Sequence, residues 1–207
     1  RTLYCHSLVK SSHITIFFTI KNLKTLAIAI LAFTTTLLVA QTKNINTSKS
    51  EVKWIGEKVT GKHEGTVQLS SGNLIMSKNK VVGGTFVINM PTITVTDITA
   101  DQGKGKLEGH LKAEDFFNTA NHKEAKLVFK TVAPKANQIY TVIADLTIKG
   151  ITHPVTFDLK ANSTTASTTF KINRTKYDIK YNSGSFFENL GDKAIYDDFT
   201  ISVNLVY

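Results

Sequence analysis

The last ten residues, "DFTISVNLVY" (198–207), set Phe199, Ile201, Val203, Leu205 and Tyr207 on one phase and Thr200, Ser202 and Asn204 on the other. Successive side chains of a strand point to opposite faces, so a period of two describes a strand with one apolar and one wet face. The pattern recurs along the chain. "IYTVIADLTIKG" (139–150) carries Tyr140, Val142, Ala144, Leu146 and Ile148 on one phase. Gly150 and His153-Pro154 mark a turn, after which Val155, Phe157 and Leu159 alternate with Thr156 and Asp158. "TTFKINRTKY" (168–177) aligns Phe170 with Ile172. In the first half, "EVKWIGEKV" (51–59) aligns Val52 with Trp54, "GGTFVINM" (83–90) aligns Phe86, Ile88 and Met90, and "KLVFKTV" (126–132) aligns Leu127 with Phe129. "GTVQLSSGNLIM" (65–76) reads as two short apolar runs around a Ser-Ser-Gly turn. Closely spaced strands with short turns predict an all-β antiparallel barrel or sandwich.

One region breaks the period. From Asp101 to Lys126 the spacing turns helical, with Leu107, Leu111, Phe116 and Phe117 recurring at helix-like intervals and "AEDFF" reading as a short helical turn. The prediction is a short helical excursion between strands, with those four residues inward and Lys112, Glu114 and Asp115 toward water.

The first forty residues differ from the rest. They hold no Asp or Glu, and "KNLKTLAIAILAFTTTLLVAQ" (21–41) runs from Lys21 and Lys24 through an apolar stretch, Leu26 to Val39, to a small residue at Ala40. That is the layout of a cleavable signal peptide over about 21–40. The apolar run is short of the roughly 20 residues a spanning helix needs. Residues 1–40 are therefore set aside as upstream residues plus leader, leaving 41–207 as one barrel domain and a periplasmic or extracellular location. Without Arg1, Lys10, Lys21 and Lys24 the net charge falls from +9 to +5 (9 − 4). Lysines and acids are interleaved, so no nucleic-acid partner is implied. The single cysteine, Cys5, lies in the segment set aside, so the domain must be held by its core.

Signals for catalysis are missing. "GKGKLEG" (103–109) has the look of a phosphate loop, but it lacks the strand–turn–helix setting of a βαβ unit and reads as a turn before a helix. His63, His110, His122 and His153 form no compact ligand pattern, so no metal is expected. No thiol or G-x-S-x-G nucleophile is present after residue 40, and no cofactor is implied.

Three stretches, "GHLKAEDFFNTANHKEAKLVF" (109–129), "IADLTIKGITHPVTFDL" (143–159) and "FKINRTKYDIKY" (170–181), resemble the YceI-like family of secreted, lipocalin-like proteins, in the right order and over about 51–207. "SGSFFENLGDKAIYDDF" (183–199) resembles a variety of the family found among Bacteroidetes-type bacteria. The chain departs from the family in "LEGHL" before the His-Leu pair and in "NHKEA" where Tyr-Pro is usual. The resemblance implies an antiparallel eight-stranded lipocalin-like barrel. It also implies an apolar tunnel for a polyisoprenoid chain, such as an isoprenoid quinone or prenyl phosphate, with transient membrane contact for loading and no catalytic step.

Three readings of function stand: a lipid carrier, a ligand-free structural or stress-associated barrel, and a lipid-modifying enzyme. For the first, the ligand-binding residues are the inward apolar set Trp54, Phe86, Ile88, Leu107, Leu111, Phe116, Phe117, Phe129, Leu146, Ile148, Phe157, Phe170, Ile172 and Phe199, which either line a cavity or fill a core. Arg174 continues the phase of Phe170 and Ile172. At a strand end it either pairs with a carboxylate or meets an anionic head group. A second pair, Phe186 and Phe187, forms either a flap over the mouth or a loop docked on the core.

Overall fold

The structure, a computed structural model, describes residues 40–207. The leader expected over 21–40 lies outside the described residues, apart from Ala40. Nine strands and one α-helix follow: β1 (Gln41–Asn44), β2 (Glu51–Lys58), β3 (Gly61–Ser77), β4 (Lys80–Val95), α1 (Lys104–Lys112), β5 (Glu124–Pro134), β6 (Ile139–Ile148), β7 (Ile151–Ala161), β8 (Thr165–Asn173) and β9 (Ile195–Val206).

Strands β2 to β9 form a closed antiparallel barrel of eight, sealed where β3 pairs with β4 from Gly65↔Val95 to Ser77↔Lys80. Closure removes the exposed edges that an open sheet would present. β1 lies on the same side of β3 as β2 but further along, pairing Gln41↔Met76 to Asn44↔Asn73. β1 and β2 thus act as one interrupted strand. The gap is pinned by Asn46, whose N–H donates to Val206 O at 2.7 Å.

The alternation read from the sequence holds on both sides of the helix. Val142 and Ala144 are sealed from solvent, and Leu159 and Leu205 nearly so. The Ser-Ser-Gly turn is a correction: β3 runs through it without a break. Gly72 has a packing role instead, since a Cβ there would sit 2.8 Å from the Phe86 ring and 3.1 Å from Ile45. A register shift between Leu69 and Ser71 absorbs the irregularity. The hairpin turn comes later, at Lys78 and Asn79, with φ of 49° and 60°. Two positive φ values at a two-residue loop match the twist of the flanking strands.

The helical excursion is also shorter than its pattern. α1 ends at Lys112, and Phe116 and Phe117 sit in tight turns beyond it, with Phe117 N–H donating to Leu111 O at 3.1 Å. α1 is fastened to the end of β4 through Glu108. Its Oε1 accepts from Thr94 Oγ1 at 2.5 Å and from Val95 N–H at 2.9 Å.

Two seams of the barrel are unequal. β8 and β9 pair along nine positions, whereas β7 and β8 share only Lys160↔Ser167 and Ala161↔Ala166. Beyond those, Thr168 Oγ1 donates to Asp158 O at 2.7 Å, and the Phe157 and Phe170 rings stack at 4.6 Å. Side chains hold the wall where backbone bonds stop.

Candidate functional site

The barrel encloses a cavity of about 180 Å³. One water needs roughly 10–15 Å³ on this measure, and also two to four polar partners. This cavity has the room and few partners: its lining is hydrocarbon except at Trp54, Lys126, Thr168, Arg174 and Tyr196. The lining follows β9 from Ile195 to Leu205, which is about 33 Å of strand at the usual rise. Its shape is therefore long, and its wall offers burial to an apolar chain with little else.

The sequence-derived set falls mostly on this wall. Trp54, Phe86, Ile88, Phe129, Leu146, Ile148, Phe157, Phe170, Ile172 and Phe199 all border the cavity, each from the inward phase of its strand. Leu111, Phe116 and Phe117 border it from the connection between β4 and β5. Three residues do not. Leu107 is half-buried against the core and stays off the cavity, one helical turn before Leu111. Phe186 and Phe187 are each 51 % exposed and touch neither cavity nor core cluster. Their N–H groups both donate to Ser183 O, a turn that carries the rings outward, and Lys180 Nζ stands 5.1 Å from the Phe186 ring. They are neither a docked loop nor a closed flap.

The cavity also uses residues absent from that set. Ile201, Val203 and Leu205 share the phase of Phe199 and were legible from it. Val67 and Leu69 were obscured by the expected turn. Ile195 and Tyr196 stand at the start of β9, ahead of the alternating stretch that the sequence marks from Asp198.

At one end the cavity is covered by the turn after α1. Phe116 and Phe117 are 8 % exposed, with rings 5.3 Å apart and Phe117 6.3 Å from Phe199. His110 of α1 packs its ring 5.5 Å from Phe116 and 4.4 Å from Tyr181. This joins the cover to the long loop between β8 and β9. Tyr196 both lines the cavity and is 52 % exposed, so the cavity reaches the surface beside this cover.

Arg174 is buried, with 2 % exposure, at the start of a 3-10 turn (Arg174–Tyr177). Nε donates to Tyr196 O at 3.0 Å, Nη1 to Ile179 O at 2.8 Å and Nη2 to Ile195 O at 2.9 Å. Asp197 Oδ1 lies 3.7 Å from Nη2 without a hydrogen bond, while Oδ2 accepts from Ser185 Oγ at 2.5 Å. Burial pulls the guanidinium below its ordinary value and Asp197 opposes it. Burial pushes the Asp197 carboxyl up, but hydroxyl hydrogen bonds and the charge of Arg174 outweigh it and leave it below the usual range. Of the two roles read for Arg174, the structure places it in the structural one. Its donors tie Ile179, in the connection between β8 and β9, to the start of β9.

Three further polar atoms are buried without a partner in the chain, one of them His110 Nε2 in the cover. Trp54 Nε1 belongs to a ring on the cavity wall, and Tyr177 Oη to a side chain 1 % exposed. Burial pushes the Tyr177 hydroxyl up to about 12. A buried hydroxyl left without a partner costs about 1–3 kcal/mol. His63 Nδ1 lies 2.9 Å from Asp97 Oδ2 at the start of β3, away from the cavity lining. Among the described residues no group of three or more His, Cys, Asp or Glu is placed to hold a metal. No helix among them is long and apolar enough to cross a membrane.

The comparisons with known proteins agree with this geometry. Residues 43–207 match the YceI-like domain. A UPF0312 protein of Shewanella denitrificans is 35 % identical over 85 residues, 41 % of this chain and 42 % of that protein. A UPF0312 protein of Staphylococcus epidermidis is 35 % identical over 102 residues, 44 % of this chain and 57 % of that protein. The chain thus spans about half the length of the curated relatives it matches. Among solved structures, BcnA of Burkholderia cenocepacia superposes with a TM-score of 0.63 at 20 % identity, over 79 % of this chain and 99 % of that one. A polyisoprenoid binding domain from Saccharophagus degradans superposes with a TM-score of 0.55 at 14 % identity, over 82 % of this chain and 98 % of that one. At these identities the structures establish a shared fold, and the domain match over most of the chain establishes descent: this protein belongs to the YceI-like family.

Proposed function

We propose that this protein binds a lipid, holding one polyisoprenoid chain in the barrel cavity for transport, storage or sequestration, without a catalytic step. The observation that carries the reading is the cavity itself, long, walled by hydrocarbon and poor in partners for water. Burying a CH₂ group contributes about 0.8 kcal/mol, so a long chain gains affinity by length alone, less the cost of immobilising it. The description of the Saccharophagus neighbour as a polyisoprenoid binding domain supports the isoprenoid class. An isoprenoid quinone and a prenyl phosphate both fit such a chain-first mode. The ligand enters beside Tyr196, where the Phe116–Phe117 cover meets the surface.

The layout of residues 21–40 supports export to the periplasm or beyond, and an exported carrier takes its lipid by transient contact with a membrane. Expression of the full chain in a secreting bacterium, followed by native mass spectrometry, solvent extraction and lipid identification, tests both parts. The expected result is a mass beginning near Gln41 with one prenyl lipid bound. A clean apo mass, unchanged after incubation with isoprenoid quinones and prenyl phosphates, sinks the carrier reading in favour of a ligand-free barrel. Turnover of the bound lipid would instead mark an enzyme.

A further inference from the structure

The wall of the barrel is interrupted between β7 and β8. β7 is paired with β6, and β8 with β9, along nearly all their length. Their facing edges share only two ladder pairs. Backbone N–H and C=O groups along the rest of both edges therefore lack ladder partners, and such groups seek others. Extending the register would set Thr156 opposite Lys171 and Val155 opposite Ile172. A polar groove lies there instead, bordered by Thr156, Lys171, Ile172, Lys176 and Tyr177.

Three features of this groove point to a ligand. Ile172, 5 % exposed, borders both the groove and the apolar cavity. Lys171 and Lys176 take part in no ion pair among the described residues. Asp198 also borders the groove, and two lysines against one carboxylate leave a net charge of +1 (2 − 1). The third feature is Tyr177. Its buried, unpartnered hydroxyl belongs to a side chain that borders the groove, and its ring packs 5.4 Å from His153 of β7. Arg174 spends three of its five N–H donors on backbone carbonyls and has Asp197 Oδ1 3.7 Å from Nη2, so its charge is already opposed within the chain.

We propose that the β7–β8 seam is a lateral head-group site: an amphiphile whose apolar chain lies in the cavity passes a phosphate-type anionic head out between β7 and β8 to Lys171 and Lys176. This rests on the reading of the cavity as a lipid site. Ammonium groups and unpaired backbone N–H groups are the donors that phosphate oxygens take. The proposal makes the seam a specificity element: it favours an anionic head over a neutral one of equal chain length.

The test compares a prenyl monophosphate with the prenyl alcohol of the same length. Binding to the full chain is followed by Trp54 fluorescence, in the wild type, in a Lys171→Ala/Lys176→Ala double variant and in a Lys180→Ala/Lys193→Ala control at the covered end. Loss of surface lysines leaves folding nearly intact, which circular dichroism verifies. The seam variant is expected to lose about tenfold in affinity for the phosphate, the scale of one charge-assisted contact. It should bind the alcohol as wild type does, and the control should change neither. Equal affinities of the seam variant and wild type for the phosphate would overturn the proposal, as would a larger loss in the control. Competition by millimolar inorganic phosphate as effective as that by the lipid would overturn it too, by making the groove a free-anion site. If wild type binds the alcohol in any of these cases, the cavity reading survives. If wild type binds neither probe, the cavity reading fails and the seam site with it.

Discussion

Two Phe-Phe pairs sit at the same end of the barrel, one in the connection between β4 and β5 and one between β8 and β9, and they meet opposite fates. Phe116 and Phe117 are 8 % exposed, and Phe186 and Phe187 are 51 % exposed. Hydrophobicity is the same, so it does not decide. The anchors differ. The first pair follows a helix whose Leu111 is buried and whose Glu108 is bonded to the end of β4, so the chain re-enters over the cavity. The second follows Ser183, which is sealed from solvent and accepts from both phenylalanine N–H groups, so the chain turns outward. The pair that covers the cavity is the one whose backbone is aimed there by groups several residues away.

The largest blow to this arrangement is predicted for Arg174→Met. Met keeps the apolar stem and removes the donors that tie Ile179 to Ile195 and Tyr196. Three carbonyls and the half-buried Asp197 lose their partner, and breaking a buried charged group of this kind costs about 3–5 kcal/mol. The urea midpoint should fall with an unchanged slope. A loss under about 1 kcal/mol would mean that water replaces the guanidinium and that the outer loop needs no such anchor.

Next in size is Phe117→Ala. Truncating a buried Phe costs about 3–5 kcal/mol, and because the ring borders a void the lower end, about 3 kcal/mol, is expected. The same measurement on Phe186→Ala should register almost nothing. Comparable losses from the two would erase the distinction between cover and exposed loop.

The two pairs also show how far the sequence carries. Alternation marks which face of each strand turns inward, because the period of two is imposed by the pleat. The apolar cavity-lining residues on β6, β7 and β8, and those on β9 from Phe199 onward, were therefore legible. The resemblance added the strand count and closure, which a one-dimensional pattern cannot encode. What stayed hidden depends on contacts between segments distant in the chain. Gly72 in "SSGN" looks like a turn residue until the Phe86 ring is placed 2.8 Å from its missing Cβ. Phe186 looks like Phe116 until Ser183 is seen to set its direction. Arg174 reads as a head-group ligand or an ion pair; the structure sets Asp197 3.7 Å from it and adds three backbone carbonyls that no sequence pattern announces. The unpaired β7–β8 seam has no sequence signature beyond Pro154, which lacks an N–H to pair.

A subtler difference is predicted with pH. The Thr94 hydroxyl and the Val95 N–H hold the Glu108 carboxyl below its ordinary value of 4.5, and Lys104 and Lys112 add to this. A carboxylate with a lowered folded value contributes stability that is complete above the unfolded value and lost as pH falls through the folded one. The cover over the cavity should therefore loosen only below about pH 4.5. Amide exchange at Leu111 and Phe117, corrected for the intrinsic rate, should accelerate there in wild type. In Glu108→Gln it should be faster throughout and flat with pH. A wild-type profile as flat as the variant's would show that Glu108 does not fasten α1.

The smallest effect is predicted for the double change Phe186→Ser/Phe187→Ser, within about 0.5 kcal/mol per site in urea unfolding. Both rings are half in water already, and an exposed cation–π contact such as Lys180 on Phe186 contributes only about 0.5–1 kcal/mol. Neither ring borders the cavity, so equilibrium affinity for a neutral prenyl alcohol should stay within about twofold, a change of roughly 0.4 kcal/mol. The rate of lipid uptake from vesicles is the informative readout. The pair stands on the loop that leads to Ile195 and Tyr196, where the cavity reaches the surface. Slower uptake at unchanged affinity and stability would place the outward pair on the ligand's path and leave Phe116 and Phe117 as its seat. A loss of affinity itself would break the comparison, because it would require rings now outside the cavity to close over it when a chain is bound.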